Sequence, residues 1–133
     1  MQGRRQKNLV LILAREFASQ LATPMLLIDA SGALVFYNEP AEIVLGRTFA
    51  EVGELNAQQW PELFQVEHLD GSPMALEEMP GGVALLERRE AHASFRITGF
   101  DGVTRTISAT GVPLFAREDE LVGVVAIFWD RES

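Results

Sequence analysis

Leu121 to Trp129 is a stretch of nine residues without a charge. In an extended chain, Leu121, Gly123, Val125, Ile127 and Trp129 fall on one face. Val122, Val124, Ala126 and Phe128 fall on the other, because strand side chains alternate. A strand that is apolar on both faces must be covered on both. One face is expected to meet the core helices. The other needs an N-terminal helix, a partner, or both.

Two more strand-like runs precede it. Ala91 to Phe100 alternates, with Ala91, Ala93, Phe95 and Ile97 opposed to His92, Ser94, Arg96 and Thr98. Asp101-Gly102 is a two-residue hairpin signal, and Val103 to Leu114 is rich in Val, Ile and Thr. The last third therefore reads as a three-stranded antiparallel meander.

The earlier chain supplies the covering layers. Asn8 to Ala22 reads as a helix, since Val10, Leu13, Phe17 and Leu21 recur at helical spacing and Leu9, Ile12 and Ala14 widen the stripe. Thr23-Pro24 ends it. Met25 to Asp29 and Ala33 to Tyr37 read as a hairpin around Ala30-Ser31-Gly32. Asn38 begins a helix with Pro40 near its start and Gly46 at its end. Thr48 to Glu51 has capping-box spacing. Asn56 to Phe64 holds one helical turn around Trp60, and Glu77 to Arg89 reads as a further helix with Met79, Val83 and Leu86 inward. The sum is α+β: a five-stranded antiparallel sheet, short helices on one face, and an N-terminal amphipathic helix. Residues 1–22 form that helix, expected to cap the sheet or dimerise, and 23–133 form the domain proper.

Composition excludes several functions. The 133 residues suit one domain and include no Cys, so disulfides, thiolate metal sites and thiol nucleophiles are ruled out. No apolar run approaches the ~18 residues of a membrane span, and a cytoplasmic protein without a membrane partner is expected. The net charge of −8 is uneven: residues 1–20 carry +3 and the rest −11. An acidic body argues against nucleic acid as a partner.

The ordered set of features resembles a PAS domain, the sensory module of bacterial signalling proteins, over about residues 19–130. "LLIDASGALVFYNEPAEIVLG" is similar to its opening hairpin and helix, with Asn38 at the junction and Gly46 after the helix. "DGSPMALEEMPGGVALLERREA" is similar to the approach to its long connecting helix. "DGVTRTISATGVPLFAREDELVGVVAIFWD" is similar to its closing hairpin, with Pro113-Leu114 before the turn and Gly123 in the last strand. The resemblance implies a regulatory, non-enzymatic homodimer that passes a small-ligand or partner signal to a C-terminal effector. The alternative is a ligand-free interaction module with a filled core. Asp130 falls where the family often places the acidic residue that couples the domain to its output. The Met1 start implies a place at the N-terminus of a parent protein, and the stop after the last strand fits either a stand-alone domain or a fragment.

The resemblance also places a ligand between sheet and short helices, and the alternation offers Ile28, Phe36, Trp60, Phe64, Val83, Leu86, Phe95, Ile107 and Ile127 for that small apolar pocket. Ordinary close packing is the competing reading of the same residues. The dimer surface is expected from Val10, Leu13, Phe17 and Leu21 of the helix with Val122, Val124 and Phe128 of the last strand. No cofactor is assigned. The flavin photosensor and hydroxycinnamyl subgroups need a Cys, and haem members commonly use a His on the helix at 77–89; the chain has no Cys and no His there, which leaves a non-covalent flavin or a differently ligated haem open. His68 and His92 lack metal-site spacing, and Glu54, Glu62, Glu77 and Glu78 lack a spacing that pairs them for acid–base chemistry. Arg96 and Arg105 are expected to pair with a carboxylate or face solvent.

Overall fold

The computed structural model describes residues 2–117 and 119–131. Its helices are α1 (Gln2–Ser19), α2 (Glu39–Leu45), α3 (Phe49–Val52), α4 (Gln59–Leu63) and α5 (Pro80–Glu87), with a 3-10 turn at Leu76–Glu78. Its strands are β1 (Met25–Asp29), β2 (Leu34–Tyr37), β3 (Ala91–Thr98), β4 (Thr104–Arg117) and β5 (Glu120–Asp130). They form one antiparallel sheet in the order β2-β1-β5-β4-β3. The doubly apolar β5 is thus the central strand, bonded to β1 on one side and β4 on the other.

The short elements are fixed by local chemistry. Asn38 is the N-cap of α2 and accepts from the Ala41 N–H, while Gly46 closes the helix at φ +85°. That φ favours glycine, and a Cβ there would lie 2.8 Å from the Asp101 nitrogen. Thr48 and Glu51 make the reciprocal capping box of α3. The segment expected as one helix over 77–89 is in two pieces. Met79 is extended at φ −76° and ψ 153°, and α5 starts afresh with Pro80 in its first turn.

Helices α2 to α5 cover one face of the sheet. The core between them joins Ile28, Leu34, Tyr37, Trp60, Phe64, Phe95, Ile107, Val124 and Phe128. Helix α1 packs against β1, β4 and β5. An ideal Cβ on Gly123 of β5 would touch Leu11, so α1 lies on the face opposite the core. The helix covers its own sheet, one of the two roles left open by its broad stripe.

That arrangement corrects the faces expected for β5. Val124 and Phe128 belong to the core, and Val122 on the same side of the strand is buried. Gly123, Val125 and Ile127 alternate onto the α1 side. Alternation shows that two faces exist, but not which one meets the helices, and the inverted choice moved every residue of the strand at once.

Candidate functional site

The core leaves a small cavity of about 50 Å³ between sheet and helices. β1 contributes Leu26 and Ile28, β3 Phe95 and Ile97, β4 Ile107 and Ala109, and β5 Ala126 and Phe128. The helical side supplies Leu45, Trp60, Phe64, Val66 and the Met79–Gly81 junction. The indole N–H of Trp60 donates to the Gly32 carbonyl at 3.0 Å, so the one polar atom of that ring is already bonded. Phe64 meets Phe100 edge to face at 5.4 Å. The cavity is therefore apolar throughout, and no charged group converges on it.

Five of the nine residues offered for the pocket line it: Ile28, Trp60, Phe64, Phe95 and Ile107. Four do not. Phe36 pairs with Leu27 and lies on the α1 side, because a bulge between Leu27 and Ile28 puts both Leu34 and Tyr37 inward, three residues apart rather than two. Its ring carries the Arg15 guanidinium at 4.5 Å and meets Phe49 edge to face. Ile127 sits opposite Met25 on the same outer face, by the inversion of β5. Val83 is half-buried away from the cavity. Leu86 is 65 % exposed, since it lies two residues, about 200° of helix, beyond the buried Ala84. Leu45, Met79 and Ala126 were legible as apolar but not as lining, because helix boundaries and strand face decide that.

The α1 surface is the second candidate site. Leu11, Ala14 and Ala18 turn toward the domain, whereas Leu13 is 58 % and Phe17 61 % exposed, with Leu9 and Ile12 exposed beside them. Val10 and Leu21 are half-buried. The helix thus carries two apolar sides, one spent on its own sheet and one open. Val122, Val124 and Phe128 take no part in the open side.

The end of β5 is held by charge. Asp130 lies 3.8 Å from Arg105, whose guanidinium also reaches Asp101 at 3.3 Å and donates to the Val44 carbonyl at 2.9 Å. The Val103 N–H and Arg105 hold the Asp101 carboxyl below its ordinary pKa. Arg96 pairs with Glu67 at 3.5 Å. His92 is exposed, shares a hydrogen bond with Thr110 and stacks on Trp129, and His68 pairs with Glu78 at 2.9 Å. Among the described residues no group of three or more His, Asp or Glu could hold a metal ion, and no helix is long and apolar enough to cross a membrane.

A sheet of order 2-1-5-4-3, closed on one face by a chain of short helices around an apolar interior, is the PAS fold, and the chain has it. It is similar to the LOV protein of Rhodobacter sphaeroides, with a TM-score of 0.70 at 16 % identity, over 98 % of this chain and 68 % of that one. It is also similar to the PAS domain of the fruit-fly ELK potassium channel, with a TM-score of 0.70 at 12 % identity, over 92 % and 98 %. The PAS domain of nitrogen regulation protein NR(II) from Vibrio parahaemolyticus superposes with a TM-score of 0.63 at 14 % identity, over 89 % and 97 %. No sequence-family model and no curated protein matches the chain.

Proposed function

We propose that the chain is a regulatory signalling module that self-associates through the open side of α1 and passes changes in packing to an effector or partner beyond Asp130. The observation that carries this reading is the second apolar side of α1, with Leu13 and Phe17 mostly exposed on a helix already docked to its sheet. Isolated exposed apolar residues are ordinary, but four on one side of one helix form a docking stripe. Several solved structures of like fold come from signalling proteins, among them a two-component sensor histidine kinase, which supports the regulatory reading.

The interior favours packing over cofactor chemistry. Pockets for drug-sized ligands run to about 300–1,000 Å³. A cavity of about 50 Å³ lined by apolar side chains suits only a small apolar solute. The ligand-free interaction module is the second reading, and this small volume is what favours it. No catalytic role is proposed.

Sedimentation equilibrium on the chain and on a Leu13→Glu/Phe17→Glu variant tests the proposal. A wild-type dimer at micromolar concentration and a monomeric, folded variant are expected. A wild-type monomer up to 100-fold higher concentration sinks the self-association.

A further inference from the structure

Two side chains latch the ends of α2 to opposite ends of the chain. Asn38, only 2 % exposed, uses its whole amide. Its Oδ1 accepts from the N–H groups of Met25 at 3.0 Å and Ala41 at 3.2 Å. Its Nδ2 donates to the carbonyls of Ala18 and Thr23, each at 2.9 Å. One side chain thereby binds the last turn of α1, the linker after it, the first residue of β1 and the start of α2. A primary amide offers two donors and two lone pairs, so its capacity is filled.

The other end of α2 is tied to the exit of the sheet. The Val44 carbonyl accepts from Arg105, and the Leu45 carbonyl accepts from the Phe100 N–H at 2.8 Å. The same guanidinium pairs with Asp130, the last residue of β5. Gly46 leaves no slack at this junction, because even a methyl group would press on the Asp101 backbone. Between the latches, α2 is a seven-residue rod of about 10 Å, with Leu45 at its end lining the cavity.

We infer that Asn38 and Arg105 are positioning residues that make α2 a mechanical link, so that the seat of α1 and the exit of the chain at Asp130 shift together. A rod held at one end would absorb a displacement by swinging. A rod held at both ends transmits it, and a solute pressing on Leu45 acts on the same rod. Coupling of this kind is reciprocal between its two ends. The inference rests on the signalling reading for its biological use. Its test does not depend on self-association, so either can fail alone.

The test is amide hydrogen exchange on the whole chain carrying Arg105→Gln. Exchange at Met25 and Ala41, the two N–H groups held by Asn38, is expected to rise at least fivefold. Exchange at Leu34 and Leu55, whose N–H groups donate to each other's carbonyls at the edge of the sheet, is expected to change less than twofold. A rise confined to the neighbourhood of Asp101, or an equal rise everywhere, overturns the link. The converse variant, Asn38→Ser, keeps a capping oxygen but cannot span to Ala18. It should shift the Asp130 amide resonance, and Arg105→Gln in the same chain should remove at least half of that shift. A shift that persists in full overturns the inference, and if Asn38→Ser does not fold, the Arg105→Gln exchange pattern decides alone.

Discussion

The two faces of the sheet are both covered, but by different means. The inner face is closed by four short helices, two of them held by side-chain caps at Asn38 and Thr48, that together seal a nearly full core. The outer face is covered by one long helix that touches β1, β4 and β5 and has apolar surface left over. The two faces thus hold different kinds of specificity. Inside, capping residues and glycines fix the backbone and leave little to adapt. Outside, a single rod on the sheet leaves an apolar side for a second molecule.

The comparison breaks first if the inner face is loose. Phe64→Ala removes a core ring that lines the cavity, and a cost of about 3–5 kcal/mol is expected in urea unfolding. A cost below about 1 kcal/mol would mean that the helices do not pack as described. Gly46→Ala forces a side chain into a left-handed conformation against the Asp101 backbone, with an expected loss of about 2 kcal/mol in thermal unfolding. Thr48→Ala removes the capping box of α3 and should cost about 1 kcal/mol.

The outer face should respond otherwise. Leu13→Ser with Phe17→Ser, at exposed positions, is expected to leave monomer stability within about 0.5 kcal/mol while weakening self-association at least tenfold. Acid supplies the smallest effect. The Asp101 pKa is lower folded than unfolded, so its stabilisation is present above the unfolded value of about 3.9. It is lost as pH falls through the folded value. An Asp101→Asn variant should therefore flatten the decline of stability below pH 4, and an unchanged decline would remove Asp101 from the account.

Much of this division was legible before the structure. The first hairpin, the Asn38 cap, the Gly46 stop and the box at Thr48 depend on residues next to one another, and short-range chemistry decides them. The β3–β4 pair of the meander follows from alternation and the Asp101-Gly102 turn. What alternation leaves undetermined is a sign. Nothing within Leu121–Trp129 distinguishes the face that meets Trp60 and Phe64 from the face that meets α1. The pocket place offered for Phe36 fails for a related reason, since one bulge residue shifts the phase of β2 and leaves no mark in a four-residue strand. Leu86 shows the third cause: restarting the helix at Pro80 rotates everything after it. The hub at Arg105 joins the nearby Asp101 to Val44 and Asp130, and the last two lie too far along the chain to be read from spacing.

One exposed apolar stripe, on α1, is proposed as a docking surface, whereas apolar residues exposed elsewhere are only surface. The chain has no Cys, so single cysteines report proximity cleanly. Phe17→Cys and Leu86→Cys place a thiol at two comparably exposed apolar positions on opposite sides of the sheet. Under mild oxidation at micromolar concentration, Phe17→Cys should form a disulfide-linked dimer within minutes, and Leu86→Cys at least tenfold more slowly. Equal rates at the two positions would contradict the account.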